Sequence, residues 1–284
     1  MITEQLIWFI DSRFYYQTSS LDKVVRLANI HQKSIKVIID ASAQVTGRGY
    51  WHLFNNKEAL SKELILTIEA KQTQLLKYFA MNAIKAEVTI NESANYLSTL
   101  NTSIDSNINS IVIIEDNSAA KRHSIFQHLA DINAPILLLT KKAWKQQINF
   151  LVAIDPLHEN ARPEMIDNNM VSLTKNWVEK LQAKWTIAHC FYIASVLTKY
   201  KTNVRAMHRD GLDIFTKNLN IPHKQCVLLE GIPEDALASY IHQHHVDIIT
   251  IGLVARNQLN RLWIGSTTTA LLCDLPCDML LIKN

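Results

Sequence analysis

A glycine, a serine and three threonines stand together near the end of the chain, at Gly265, Ser266 and Thr267 to Thr269. A glycine lets the backbone approach a ligand closely, and a serine at the start of a helix leaves amide and hydroxyl donors exposed. Donors at a helix N-terminus form a binding site for anions such as phosphate. The alternative is structural, since a glycine also permits a turn and a serine also caps a helix.

Other glycines are scarce, and two of them follow strand-like runs. The chain has six glycines in 284 residues, below the usual share of about 7%. Gly231 follows a run that ends at Glu230, and Gly252 follows one that ends at Ile251. Open parallel sheets bind ligands at the carboxyl ends of their strands. We therefore expect Gly231, Gly252 and Gly265 at that edge of a sheet.

Known catalytic motifs are absent from the sequence. It has no GxxxxGK[ST] phosphate loop, no GxGxxG after a strand and no GxSxG elbow. Its carboxylates and histidines are scattered, and spacing assigns no pair of them to acid and base roles. We predict no catalytic residue and a protein that is not an enzyme.

The four cysteines all lie in the second half, at Cys190, Cys226, Cys273 and Cys277, without a CxxC pair. The last two, with three histidines upstream, leave a zinc site as an alternative. Those histidines fall at a predicted helix end, where solvated side chains are the commoner outcome. We interpret the cysteines as small core residues in a reducing compartment and predict no metal site.

Composition narrows the class of protein. Hydrophobic residues make up 48% of the chain and charged residues 19%, as in soluble globular proteins. The 29 basic and 26 acidic residues are mixed and give a net charge of +3, so nucleic acid is not an expected partner. Apolar runs such as Ile111 to Ile114 are far shorter than the roughly 20 residues that span a bilayer. Without a secretory signal at its start, the chain is expected to be cytoplasmic.

Strand-like runs alternate with helical periodicity along the chain, which predicts βαβ units and a parallel sheet. In the first half, the predicted strands are 6–11, 35–39, 86–90, 111–114 and 136–139, with helices at about 21–28, 57–80, 96–100 and 125–129. In the second half, they are strands 149–155, 186–190, 226–229, 247–251 and 279–282, with helices at about 163–184, 204–219, 234–242 and 266–272.

The two halves repeat each other. Asp11 ends the first strand, as Asp155 ends the corresponding strand half a chain length later. We predict an α/β protein of two tandem doubly wound parallel-sheet domains, residues 1–142 and 148–284, joined by a polar linker at residues 143–147.

The loop before the last helix carries a family resemblance. The run Gly252-x2-Ala255-x9-Gly265-Ser266 resembles the ATP loop G-x2-G-x9-G-S/T of the universal stress protein family. The segments VAID at residues 152–155, GIPED at 231–235 and CDLPCDMLLIK at 273–283 are similar to the same family.

The resemblance covers nearly all of residues 148–284 and, more faintly, the first half, so the chain is most similar to tandem, two-domain members. Members of the family commonly pair through their last strands. The resemblance therefore implies an intramolecular pseudo-dimer of the two halves, with a homodimer as a further option. It does not identify protein partners.

The resemblance also implies a ligand and the residues that bind it. In ATP-binding members, an aspartate after the first strand lies beside the nucleotide, the backbone after the second strand lines the adenine pocket, and the loop holds the phosphates. ATP, with Mg²⁺ as a possible companion, is then the ligand of the second half. Its implied site is Asp155, Cys190, Phe191, Gly231, Gly252, Ala255, Gly265, Ser266 and Thr267.

One position departs from the family pattern. Ala255 stands where the second loop glycine is expected. Its Cβ restricts positive φ and crowds a phosphate that passes close to the backbone.

The corresponding loop of the first half has no glycine. Glu115 stands in place of the first loop glycine, and its carboxylate repels phosphate, partly offset by Lys121, Arg122 and His123. We predict a degenerate domain that does not bind ATP in the family manner. Asp11 is then a strand-end cap or, alternatively, a ligand contact.

Three hypotheses follow for the function. The first is a non-catalytic stress-response module that binds ATP or a related nucleotide in its second half. The second is a scaffold that binds no nucleotide and acts through its surface. The third, ATP hydrolysis, has no residue in the loop that positions an attacking water.

Overall fold

The structure is a computed structural model that divides into two compact units, Met1–Ala143 and Trp144–Asn284, called the N-terminal and C-terminal units below. It describes residues 4–13, 16, 18–31, 34–42, 57–104, 109–117, 122–157, 165–253, 256–258, 261–263 and 265–283. Ala255, of the predicted site, lies outside the described residues.

The N-terminal unit is an α/β domain with a parallel sheet in the strand order β3-β2-β1-β4-β5. In chain order, its described elements are β1 (Glu4–Asp11), α1 (Thr18–His31), β2 (Ile35–Asp40), α2 (Lys57–Met81), β3 (Ala86–Asn91), α3 (Tyr96–Ser103), β4 (Asn109–Glu115) and β5 (Ile136–Leu139).

The C-terminal unit repeats this arrangement with the parallel order β12-β9-β6-β7-β8. Its described elements are β6 (Asn149–Ile154), α4 (Ile166–Leu181), β7 (Lys184–Phe191), α5 (Lys201–Asn218), β8 (Cys226–Glu230), α6 (Pro233–His244), β9 (Ile248–Gly252), β10 (Arg256–Gln258), β11 (Arg261–Trp263), α7 (Ser266–Cys273) and β12 (Asp278–Ile282). The predicted doubly wound α/β fold is confirmed.

The strands are almost continuously apolar because both faces of each sheet are covered. Strands β5, β9 and β12 are buried at every residue, the pattern expected of parallel sheets packed between helices. The helices bury one face each: in α1, Leu21, Val24, Leu27 and Ala28 are at most 7% exposed. Burying apolar surface in this way is the main stabilising contribution to each core.

The predicted helix at residues 125–129 is wrong. Ser124–Gln127 and Leu129–Asp131 instead form two short 3₁₀ turns. His128, with φ −123° and ψ 16°, interrupts the helical path between them. The first turn is capped by His123, whose Nδ1 accepts the N–H of Ile125 at 3.0 Å.

Two further differences lie in the C-terminal unit. The predicted helix at 163–184 runs too far, because α4 ends at Leu181, Gln182 adopts a left-handed φ of 49°, and Lys184 begins β7. The short antiparallel hairpin of β10 and β11 was not predicted. Its strands have three residues each, too few for a periodic signal.

The predicted linker has no helix or strand at residues 143–147. Trp144 nevertheless has a fixed contact, since its indole Nε1–H donates to Asp278 Oδ2 at 2.6 Å. This hydrogen bond ties the start of the C-terminal unit to the buried end of β12.

Candidate functional site

The candidate site lies at the carboxyl ends of β6 and β9. These strands are neighbours, and β6 also pairs with β7 on its other side. The chain proceeds from β6 to β7 on one side, and only later reaches β9 on the other. Loops that leave such neighbouring strands diverge and open a crevice, which is where open α/β sheets bind ligands.

The register brings three of the predicted residues to this edge. Ile154 pairs with His189, so Asp155, the first residue after β6, lies beside Cys190, the next-to-last residue of β7. Gly252 is the last residue of β9 on the other side of β6. The sheet therefore aligns the carboxylate, the thiol and the glycine that the sequence singled out.

The carboxylate of Asp155 is buried without a partner among the described residues. Both Oδ atoms are shielded from solvent, and no described residue donates a hydrogen bond to them. The backbone N–H of Asp155 is engaged, since it donates to Asp167 Oδ2 at 3.0 Å. Buried polar groups almost always have partners. A buried strand-end carboxylate with no partner among the described residues therefore indicates a position that a ligand completes.

The neighbouring thiol of Cys190 lies close to two negatively charged side chains. The pKa of Cys190 is raised to about 12 by burial first, and then by the negative charges of Asp155 and Glu234. Cys190 is therefore a neutral thiol at physiological pH. Glu234, in the first turn of α6, was not predicted for this site, because only the packing of α6 on the sheet brings it near Cys190.

The start of α7 lies at the end of β9. The hydroxyl of Thr268 donates to the carbonyl of Gly252 at 3.2 Å, which fixes the first turn of the helix to the strand end. Gly265 occupies the N-cap position and supplies no side-chain cap. The first amides of any helix have no intrahelical acceptor. Those of Ser266 and Thr267 therefore point toward the space before the helix.

The backbone conformation at position 265 does not require a glycine. Its φ of −56° and ψ of 149° are open to any residue. A Cβ built at this position meets no described heavy atom within 4 Å. Among the described residues, the space beside Gly265 is open, and its φ and ψ do not demand a glycine.

Gly231 and Phe191 have structural roles that the sequence did not specify. Gly231 adopts a φ of 133°, which L side chains rarely adopt, and its N–H donates to the carbonyl of Phe191 at 3.0 Å. The ring of Phe191 is buried against His208. The contribution of these two residues to a nucleotide site stays a prediction.

The corresponding edge of the N-terminal unit is filled by internal ion pairs. Unlike Asp155, Asp11 has, among the described residues, a partner for its carboxylate, which accepts hydrogen bonds from Nε and Nη2 of Arg13 at 2.6 to 3.0 Å. The backbone N–H of Arg13 also donates to Asp11, which favours the interpretation as a strand-end cap. Arg122, expected to offset part of the charge of Glu115, forms a two-pronged pair with Asp116 at 2.9 Å.

A buried polar cluster crosses the same edge. His123 Nε2 lies 2.9 Å from Asp40 Oδ2, while Asn91 Nδ2 donates to Asp40 Oδ1 at 2.6 Å and Ser42 Oγ to Oδ2 at 2.8 Å. Burial would raise the pKa of Asp40, but the hydrogen bonds from His123, Asn91 and Ser42 lower it below its usual value. The cavity that the described residues leave here, beside Phe9, measures about 20 Å³, roughly the room for one water molecule.

The described residues form neither a metal-binding cluster nor a membrane-spanning helix. No group of three or more His, Cys, Asp or Glu side chains there is placed to hold a metal ion. Among the described helices, none is both long and apolar enough to cross a membrane.

The fold and the site define a tandem doubly wound α/β protein with a crevice at the strand ends of its C-terminal unit. Residues 179–283 match the family described as the universal stress protein family. The chain is 19% identical over 287 residues to the Universal stress protein E homolog of Haemophilus influenzae, covering 93% of this chain and 92% of that protein. It is 22% identical over 163 residues to Universal stress protein E of Salmonella typhi, covering 53% of this chain and 51% of the relative. The chain is thus similar over most of its length to a tandem member of the universal stress protein family, and the family match itself lies within its C-terminal unit.

Solved structures agree on the fold. A functionally unknown protein from Pseudomonas aeruginosa superposes with a TM-score of 0.73 at 15% identity, covering 99% of this chain and 92% of the other. A universal stress protein from Archaeoglobus fulgidus gives a TM-score of 0.65 at 13% identity, covering 98% and 96%. At such low identities, the likeness establishes the architecture and leaves function to the site.

Proposed function

We propose that this protein is a stress-response module whose C-terminal unit binds ATP or a related nucleotide without turning it over. The N-terminal unit is a degenerate copy, since its strand-end carboxylates are already paired with Arg13, Arg122 and His123. The proposed stoichiometry is therefore one nucleotide per chain.

The unpaired carboxylate of Asp155 carries the proposal. Both oxygens are buried, and no described residue donates to them. Leaving a buried acceptor unsatisfied costs about 1–3 kcal/mol, so the residue is an unfavourable choice for a purely structural position. The base and ribose of a nucleotide offer the N–H and O–H donors that such a carboxylate lacks.

The start of α7 offers a place for the phosphate groups of the nucleotide. The positive end of a helix dipole and its unpaired amides attract phosphate. Ser266 and Thr267 add hydroxyl groups, and Gly265 adds no side chain to the open space beside it. The effect of Ala255 is a prediction: its Cβ crowds the phosphates and weakens binding without abolishing it.

Mg²⁺ belongs to the proposal as a companion of the nucleotide. It is usually held by substrate phosphates together with one or two carboxylates. Because the described residues contain no cluster of three or more metal-binding side chains, we treat the ion as arriving with the phosphates.

The absence of turnover is also proposed on physical grounds. Backbone amides and hydroxyls stabilise phosphate charge, but hydrolysis needs in addition a group that orients the attacking water. A cytoplasmic location is also part of the proposal, and the nearly balanced numbers of basic and acidic residues are compatible with it.

The proposal is tested by ATP-dependent thermal stabilisation. Since the φ and ψ of Gly265 suit any residue, Gly265→Val should fold and place its branched side chain in the phosphate space. ATP should raise the Tm of the wild type and of Ser239→Val, a control on the exposed face of α6. It should leave the Tm of Gly265→Val unchanged. Equal ATP shifts in all three proteins would contradict the proposal.

A scaffold without nucleotide is the second candidate, and one observation favours it. Apolar side chains near the end of β7 and the β8–α6 turn are 44% to 82% exposed, namely Tyr192, Val196, Leu197, Tyr200 and Ile232. Exposed apolar groups of this kind often mark protein contacts. Mass spectrometry of the purified protein separates the candidates, because bound nucleotide counts against a pure scaffold. The pairing of the halves and the association of two chains stay predictions.

A further inference from the structure

Two buried histidines link helix α5 to strand β6, which ends at Ile154, just before Asp155. His189 and His208 are 2% and 3% exposed, and His189 Nε2 lies 2.7 Å from His208 Nδ1. On its other side, His189 Nδ1 lies 3.2 Å from the carbonyl oxygen of Ile154. The contacts form a continuous path from α5 across β7 to the residue immediately before Asp155.

The carbonyl fixes the direction of these hydrogen bonds. A carbonyl oxygen only accepts, so Nδ1 of His189 must carry the proton that it receives. In neutral His189, Nε2 is then an acceptor, and Nδ1 of His208 must donate to it. A side chain at position 208 that cannot donate removes this hydrogen bond from His189, which weakens the hold on the Ile154 carbonyl.

A second contact joins the same face of α5 to the same turn. Gly211 follows His208 by one helical turn and therefore shares its face. A Cβ built on Gly211 would lie 2.6 Å from Cδ2 of Leu157, two residues after Asp155. The missing side chain lets Leu157 pack directly against the helix. Helix α5 thus reaches the Asp155 turn at two points, through His189 at Ile154 and directly at Leu157.

We infer that His208 and Gly211 position the carboxylate of Asp155 for its ligand. His208 also packs on the ring of Phe191 at 5.7 Å between centroids, so one side chain supports the ends of both β6 and β7. The inference rests on the proposed nucleotide site, but the structural link is independent of any ligand. His208 acts through His189 and is a positioning residue.

The first experiment exchanges the donor at position 208. In His208→Asn, the amide nitrogen occupies the place of Nδ1 and can still donate to His189, whereas His208→Leu keeps apolar volume and removes the donor. We expect calorimetry to give about tenfold weaker ATP binding for His208→Leu. His208→Asn should stay within about threefold of the wild type. Equal affinities in all three proteins overturn the inference.

The second experiment crowds the turn and then relieves it. Alanine is a better helix former than glycine, so Gly211→Ala should not weaken α5, but its Cβ must displace Leu157. We expect weaker ATP binding in Gly211→Ala and recovery when Leu157→Ala is added. A double variant no better than Gly211→Ala contradicts the positioning role.

A measurement without ligand separates this inference from the proposed function. In the ligand-free wild type, nitrogen NMR should find both imidazoles protonated at Nδ1. The amide resonance of Asp155 should shift in His208→Leu and stay in place in His208→Asn. If the wild type binds no ATP, the proposed function fails, and these resonances alone decide the positioning. An Asp155 amide that is unmoved in His208→Leu overturns it.

Discussion

Replacing Asp155 by asparagine should stabilise the ligand-free protein, although the residue lies at the centre of the proposed site. Its two carboxylate oxygens are buried with no donor among the described residues. The carboxylate of Asp167 accepts the Asp155 N–H, which brings a second negative group close to the first. Asparagine keeps the shape and removes the charge. Stability gained at the expense of binding is typical of functional residues.

The size of the effect follows from the cost of an unsatisfied buried group. That cost is about 1–3 kcal/mol for a polar group. The asparagine amide also lacks partners, so only the lower end should be recovered, about 1 kcal/mol in the free energy of unfolding. For a domain of this size, such a change raises Tm by about 2–4 °C.

The duplication provides a matched control at Asp11. The same substitution there removes a carboxylate that is 8% exposed and bound by Arg13. It also removes the negative charge that faces Lys71, whose pKa is lowered by burial and partly restored by Asp11. Asp11→Asn should therefore lower the free energy of unfolding by about 1–3 kcal/mol. The same substitution should thus raise the free energy of unfolding at position 155 and lower it at the corresponding position 11.

The assay is thermal and urea unfolding of the wild type, Asp155→Asn and Asp11→Asn, followed by circular dichroism. If the units unfold in separate transitions, each variant should move one of them. With ATP present, Asp155→Asn should lose most of the ligand-induced rise in Tm, while Asp11→Asn should keep it. A less stable Asp155→Asn without ligand would refute the reasoning, because the carboxylate would then have a structural partner.

Three further predictions concern other groups. The pKa of Asp40 is lowered in the folded state, so its stabilising contribution is complete above the unfolded pKa of about 3.9. It is lost as pH falls through the folded pKa, and acid titration of stability in wild type and Asp40→Asn should converge below about pH 4. Gly231→Ala should cost about 1–2 kcal/mol in urea unfolding, because φ at that position is 133°; an unchanged midpoint contradicts this. With iodoacetamide at about pH 8, exposed Cys273 should react well before Cys190, whose pKa is about 12; peptide mass spectrometry that finds equal rates contradicts this.

Much of the fold could be predicted because its signals are local. Strand β5 is an unbroken apolar run, and Ile136–Leu139 matches the predicted range. The start of α7 at Ser266 also matches, since a glycine and a small hydroxyl residue mark a helix start. Prediction failed at residues 124–131, where apolar spacing suited a helix but His128 adopts a conformation that separates two 3₁₀ turns.

The sequence could predict only those residues of the site that lie at the ends of strands. Asp155 and Cys190 meet because carboxyl ends of neighbouring parallel strands share one edge. Glu234 and His208 were missed, because their proximity depends on how helices pack against the sheet. No spacing in the sequence indicates that packing.

In the N-terminal unit, too, the sequence did not indicate which charged side chains pair. The sequence indicated that Arg122 and His123 offset the charge of Glu115. In the structure, they pair with Asp116 and Asp40, two partners that the sequence did not indicate. Loss of the loop glycines was visible in the sequence, whereas the pairing of Asp116 with Arg122 and of Asp40 with His123 became visible only in the fold.

The central claim is a single nucleotide site per chain, located at Asp155 and the start of α7. Isothermal titration calorimetry of the full chain with ATP and Mg²⁺ tests it most directly, with Gly265→Val as the comparison. We predict a stoichiometry of one in the wild type and no measurable heat of binding in Gly265→Val. A stoichiometry of two, no binding to the wild type, or undiminished binding to Gly265→Val would contradict the claim.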